Sequence, residues 1–122
     1  MLRSLGVGFL ALVLLTSAFF GLRDAIESMR AASSLGQWVV IASQFAYSAS
    51  AIFAVSAMGA RNPMATGFLQ SWGVMTIVAA SVAPVAYGGA PMWAGAVSGL
   101  SAALAVWVLL WIWKKRPAGL DG

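Results

Sequence analysis

The side chains best placed to do chemistry in this sequence are neutral. Gln44, Tyr47 and Ser48 lie close together in one long apolar run, and Gln70, Ser71 and Thr76 lie in the next. Amides and hydroxyls of this kind donate and accept hydrogen bonds, but they are poor proton relays and poor metal ligands at neutral pH. A buried amide in hydrocarbon needs a partner, so Gln44 and Gln70 are each expected to make one interhelical hydrogen bond. Their other use would be a polar pocket, drawn from Gln44, Tyr47 and Gln70, for a lipid headgroup or a small neutral ligand. Gln44 is expected in the outer half of a bilayer and Gln70 near its inner side, so the two are not expected to bond each other.

The remaining chemistry is bounded by what the chain lacks. It has no Cys and no His, and its only acids are Asp24, Glu27 and Asp121. Disulfides, thiolate nucleophiles, iron–sulfur clusters and histidine-ligated metals or haem are therefore out of reach. No acidic or basic residue falls inside Leu5–Leu22, Trp38–Ala60, Phe68–Tyr87 or Met92–Trp113. Charges buried in membrane usually mark ion paths and proton relays, and that signal is missing. No catalytic residues, metal site or cofactor are expected. An enzyme would need a nucleophile, base or metal that Ser, Thr, Tyr and amides do not readily supply.

These four runs are also the elements that must position the polar groups. Each is about long enough to cross a bilayer as a helix, which takes roughly 20 residues. The chain is 61% hydrophobic and 8% charged over 122 residues, against about 25% charged in soluble domains. The expected fold is an all-α integral membrane protein, a four-transmembrane-helix antiparallel bundle. A single membrane domain covers 1–122, with helices near 4–32, 37–58, 63–87 and 91–114.

Local signals set those boundaries. Arg3, the apolar Leu5–Leu15 and the small Thr16-Ser17-Ala18 resemble a signal peptide. The apolar stretch continues through Phe19, Phe20 and Leu22, which favours a retained first helix. Leu22, Ile26 and Met29 continue its apolar stripe, while Arg23, Glu27 and Arg30 run alongside at ion-pair spacing. Helix 1 is thus expected to extend beyond the bilayer to about Ala32. Ser33-Ser34-Leu35-Gly36 breaks the pattern. Gly59 is expected to cap helix 2 in the left-handed conformation. Asn62-Pro63 reads as an N-cap and first helical residue. Pro84 falls in the last turn of helix 3, and Gly88-Gly89-Ala90 forms a tight turn before Pro91. Short second and third connections make neighbours of helices 2–3 and 3–4. No internal repeat relates the two halves, which leaves an inverted-repeat transporter without support.

Charge asymmetry predicts orientation. With four spans, one side holds Arg3, Arg61, Lys114, Lys115 and Arg116, and the other holds Arg23 and Arg30. Positive charge stays inside, so both termini are expected in the cytoplasm, in a bacterial-type inner or plasma membrane. Trp38, Tyr87 and Trp93 would form the outer aromatic belt, with Trp111 and Trp113 the inner one. The net charge of +4 predicts anionic lipid headgroups at the cytoplasmic side as partners, and no nucleic acid.

Packing faces are abundant. Ser43, Ala46, Ser50, Ala54 and Ala57 form a small-residue stripe on helix 2. Gly73, Thr76, Ala80 and Ala83 form one on helix 3, and Gly95 and Gly99 form a GxxxG on helix 4. Close backbone approach across such stripes holds membrane helices together. Packing within one chain is the expected use, and homodimerisation through Gly95 and Gly99 is the alternative. Trp107 and Trp111, at i and i+4, make one aromatic face; interface anchoring accounts for Trp111, and Trp107, about 9 Å further in than Trp113, would suit contact with a partner helix or with a lipid or pigment ring. Lys114, Lys115 and Arg116 form a stop-transfer cluster.

In length and span count the chain resembles the small multidrug transporters. Their first helix bears a membrane-embedded Glu that couples protons to drug, and the matching run Leu5–Leu22 has no acid. The resemblance implies the four-helix architecture and not that activity. The sequence supports a small non-enzymatic accessory or assembly subunit of a larger membrane complex, partnered by protein or by further copies of itself. The alternative is an oligomeric pore or facilitator for a neutral small solute, holin-like or transporter-like.

Overall fold

A computed structural model describes residues 2–115. The chain folds as four helices, α1 (Leu2–Met29), α2 (Leu35–Gly59), α3 (Ala65–Gly88) and α4 (Met92–Lys114). Each is long and apolar enough to cross a membrane. The protein is an all-α, four-helix membrane protein. Arg116 and Asp121 lie outside the described residues.

The boundaries follow from capping. Ser34 is extended and its Oγ accepts from the Gln37 N–H at 3.2 Å, so α2 begins at Leu35, two residues before the expected start. Gly59 is not the left-handed cap. Arg61 takes that conformation, with φ 54°. Its N–H donates to the Met58 carbonyl, and the Asn62 N–H donates to the Ala57 carbonyl. That pair of bonds is a Schellman motif with arginine in the glycine position. Asn62 then serves as a turn rather than an N-cap. Its Oδ1 accepts from the Met64 N–H at 2.9 Å, and α3 starts at Ala65 instead of Pro63. Gly89, at φ 62°, closes α3 one residue beyond Gly88. α1 ends at Met29, short of the expected Ala32. Glu27 accordingly pairs with Arg23 at 3.3 Å, and no Glu27–Arg30 pair forms among the described residues, because Arg30 has left the helix.

Each helix lies against its neighbour in the chain, and α1 meets α4 over a much shorter stretch. The core gathers Leu10, Leu14 and Ala18 of α1, Ala51 and Ala54 of α2, Leu69 and Trp72 of α3, and Val106 and Trp113 of α4. Small residues set the spacing. A Cβ on Gly73 would lie 2.6 Å from Val106 Cγ1, and one on Gly95 would lie 2.5 Å from the Ser81 carbonyl oxygen. The α3–α4 seam therefore closes only around glycine.

Candidate functional site

Several neutral polar groups are used to join helices. The indole N–H of Trp72 on α3 donates to Ser17 Oγ on α1 at 3.0 Å. Trp113 on α4 donates likewise to Thr66 Oγ1 on α3 at 2.9 Å. Ser50 and Ser71 share a hydrogen bond of 3.2 Å between α2 and α3. At the other end of that pair, Gln37 Nε2 donates to the Ala86 carbonyl at 3.3 Å. Other serines satisfy themselves on their own helix. Ser43, Ser81 and Ser101 donate to the carbonyls of Val39, Ile77 and Val97, four residues back.

Three buried atoms have no hydrogen-bond partner among the described residues: Gln44 Oε1, Ser48 Oγ and Thr76 Oγ1. Gln44 and Ser48 are one turn apart on one face of α2. The contacts Ser50–Ser71 and Gln37–Ala86 bracket these two on α2 and Thr76 on α3. On α1 the matching position is Gly21, whose missing side chain makes room for Ser48 Oγ and the Tyr47 ring. Tyr47 is half-buried, and Asp24 of α1 is close enough to act on it electrostatically. Gln44, Tyr47 and Ser48 thus make a neutral polar patch on α2, with Tyr47 and Ser48 turned toward α1. Each orphaned group costs about 1–3 kcal/mol when buried.

The expected residues divide between several places. Gln44 and Tyr47 belong to the patch, but Gln70 does not. It is exposed, and it lines a separate groove with Thr66, Leu110, Trp113 and Lys114. The expected interhelical hydrogen bond is absent for both amides among the described residues. Of the stripes, Ser43, Ala54, Ala57, Gly73, Gly95 and Gly99 are buried, while Ala46, Ser50 and Ala80 are half-buried. Gly95 and Gly99 lie against Ser81 of the same chain. Trp107 and Trp111 are exposed, and the Lys115 ammonium sits 5.9 Å from the centre of the Trp111 ring. Trp113 is not a belt residue. It is 3% exposed, turned into the α3–α4 seam by its bond to Thr66.

Ser17, Gly21, Thr66 and Trp72 are positioning residues that sequence reasoning missed. Ser17 read as part of a cleavage site, and nothing in the sequence pairs it with a tryptophan 55 positions away. Trp72 sits next to Gly73, in a stripe whose period could have placed it inward. Among the described residues no cluster of acidic, Cys or His side chains suited to a metal occurs. No protein-family model matches the chain, and no curated protein or solved structure shows significant similarity to it.

Proposed function

We propose that this chain is a non-enzymatic accessory or assembly subunit of a larger membrane complex, with α4 as its contact helix. One observation carries the reading. Trp72 and Trp113 each donate the indole N–H to a hydroxyl on a neighbouring helix. Trp107 has the same donor, is 66% exposed, and makes no hydrogen bond among the described residues. It lies about 10 Å along the helix from Lys114, at 1.5 Å per residue. At that depth neither water nor headgroups reach it readily, and an unmet N–H is costly in hydrocarbon. A hydroxyl or carbonyl on a partner helix would meet it, as Ser17 and Thr66 do within the chain. Leu100, Leu104 and Trp111 continue the same exposed side.

In this reading the helices alternate in direction, as the Ser50–Ser71 and Gln37–Ala86 contacts support for α2 and α3. Both termini face the cytoplasm, and the Arg23–Glu27 turn of α1 lies beyond the opposite surface. Reporter fusions at Gly122 then behave as cytoplasmic and those near Ser34 as external. A photo-crosslinker at position 107, in native membranes, is expected to yield one discrete protein adduct. Trp107→Phe keeps the ring and removes the donor, so it should weaken co-purification less than Trp107→Ala. A chain that purifies alone under gentle conditions, with only lipid adducts at 107, would sink the accessory reading.

A second reading, a facilitator for a neutral solute, is favoured by the three orphaned atoms. Ser48→Ala removes one of them. If the patch only packs, the variant should be as stable as the parent or more so. If it conducts, liposome flux of small polar solutes falls while folding persists.

A further inference from the structure

We infer that the groove between α3 and α4 at the Lys114 end is a binding site for one anionic phospholipid. The groove has a volume of about 310 Å³ and is lined by Thr66, Gln70, Leu110, Trp113 and Lys114. Its polar lining groups are Thr66, Gln70 and Lys114, and its apolar ones Leu110 and Trp113. Lys114 makes no ion pair, and the Gln70 amide makes no hydrogen bond, among the described residues. No acidic residue occurs anywhere on α3 or α4 to neutralise that lysine. A phosphate diester supplies what both groups lack: a negative charge for the ammonium and an acceptor oxygen for the amide N–H.

Size and shape agree with a lipid. At roughly 30 Å³ per water-sized group, the groove takes on the order of ten such groups. That accommodates a phosphate and the first part of one acyl chain beside Leu110. The rest of the molecule would run along the exposed apolar surface of α4, where Trp107 and Leu104 lie. A groove of the same volume lies at the opposite end of the α3–α4 seam, lined by Ser81, Val82, Val85, Met92, Gly95 and Ala96. It has no charged lining group, so nothing in it selects an anionic headgroup. The contrast assigns selectivity to Lys114, with Gln70 adding a contact to the phosphate. The groove itself is lined by neither Trp107 nor Leu104, so headgroup binding there is tested separately from a protein contact at Trp107.

Lys115 provides the internal control. It is the next residue, carries the same charge, and is held over the Trp111 ring rather than in the groove. The test is lipid retention by native mass spectrometry of the full chain, purified in detergent with equal phosphatidylglycerol and phosphatidylcholine. The parent chain should retain phosphatidylglycerol preferentially at a stoichiometry of one. A basic residue near a membrane surface contributes about 1 kcal/mol, or roughly a five-fold preference. Lys114→Gln should therefore reduce the preference about five-fold, and Lys115→Gln should leave it nearly unchanged. Excess inorganic phosphate should not displace the lipid, since it offers nothing to Leu110. Equal losses in the two lysine variants would overturn the groove in favour of diffuse attraction. Displacement by phosphate would reduce the site to an anion site without lipid character. Gln70→Leu, at an exposed position, gives a second arm should Lys114→Gln fail to fold: the amide meets the phosphate common to both lipids, so total lipid retained should fall, and unaltered retention would also refute the assignment.

Discussion

Glycine substitutions along the chain should change stability with opposite signs, in an order set by what a new Cβ meets. At Gly95 the Cβ would lie 2.5 Å from the Ser81 carbonyl oxygen and 3.2 Å from Val85 Cγ2. The first neighbour is backbone and cannot rotate away. Restoring ordinary contact would push α4 from α3 by about 1 Å, in a seam where overpacking costs about 1–3 kcal/mol. Alanine recovers at most about 1 kcal/mol of helix propensity, so Gly95→Ala should lose about 1 kcal/mol net. For a chain of this size that lowers the melting temperature by about 4 °C. At Gly99 the new Cβ meets the Ser81 hydroxyl, which can turn aside by giving up its 2.8 Å bond to the Ile77 carbonyl. Gly99→Ala should therefore fall between Gly95→Ala and the parent. Gly8 has nothing within 4 Å of its would-be Cβ, so Gly8→Ala should match or exceed the parent. Thermal unfolding in one mild detergent, followed by circular dichroism, ranks the three. Equal melting temperatures for Gly95→Ala and Gly8→Ala would refute a close α3–α4 seam. An unchanged Gly99→Ala monomer combined with loss of a crosslinkable dimer would move that seam between chains.

Arg61→Gly should stabilise the protein by about 1 kcal/mol, because a non-glycine residue at φ 54° bears a left-handed penalty of that size; an unchanged melting temperature would refute the Schellman assignment. Trp72→Phe removes the donor to Ser17 and should lose about 0.6–1.7 kcal/mol, the range for interhelical bonds in membranes. Combined with Ser17→Ala, it should show a coupling energy in a double-mutant cycle, and strict additivity would mean the bond does not form. Ala54 is fully buried, so Ala54→Leu should overpack the core by about 1–3 kcal/mol. A melting temperature equal to the parent's would place that stripe against lipid.

The number and type of the helices were legible because hydrophobicity over 20-odd residues is a strong, local signal. Their ends were less so, since a cap is chosen among competing groups. Asn62 could open a helix or close a turn, and the left-handed Arg61 before it decided for the turn. Tryptophans show the same limit at the level of the site. Trp111 and Trp113 stand two residues apart, about 200° around a helix. One faces outward over Lys115 and the other inward onto Thr66, yet a belt assigned by depth alone treats them alike. Gln44 and Gln70 are equally visible as amides, but their surroundings depend on which stretch of α3 meets α2 and which meets α4. That pairing is set by glycines, whose role is defined by the neighbour and not by the glycine.

The hydroxyls finally separate two kinds of polar residue that composition cannot. Ser43, Ser81 and Ser101 fold back on the carbonyl four residues earlier, an arrangement available to any helical serine or threonine. Ser48 and Thr76 have the same option, on the carbonyls of Gln44 and Trp72, and do not use it. Tyr47 and Ser48 fill the space left by Gly21, which fixes Ser48 toward α1. The patch and the exposed Trp107 are thus the same chemical situation on two sides of the molecule. In each, a donor or acceptor stands without a hydrogen-bond partner among the described residues. The inner one is enclosed among side chains of the same chain. The outer one asks for a helix, because a continuous apolar side along Leu100, Leu104 and Trp111 accompanies the single donor. That difference in what surrounds the unpaired group is why the accessory reading rests on α4 and the facilitator reading on Ser48.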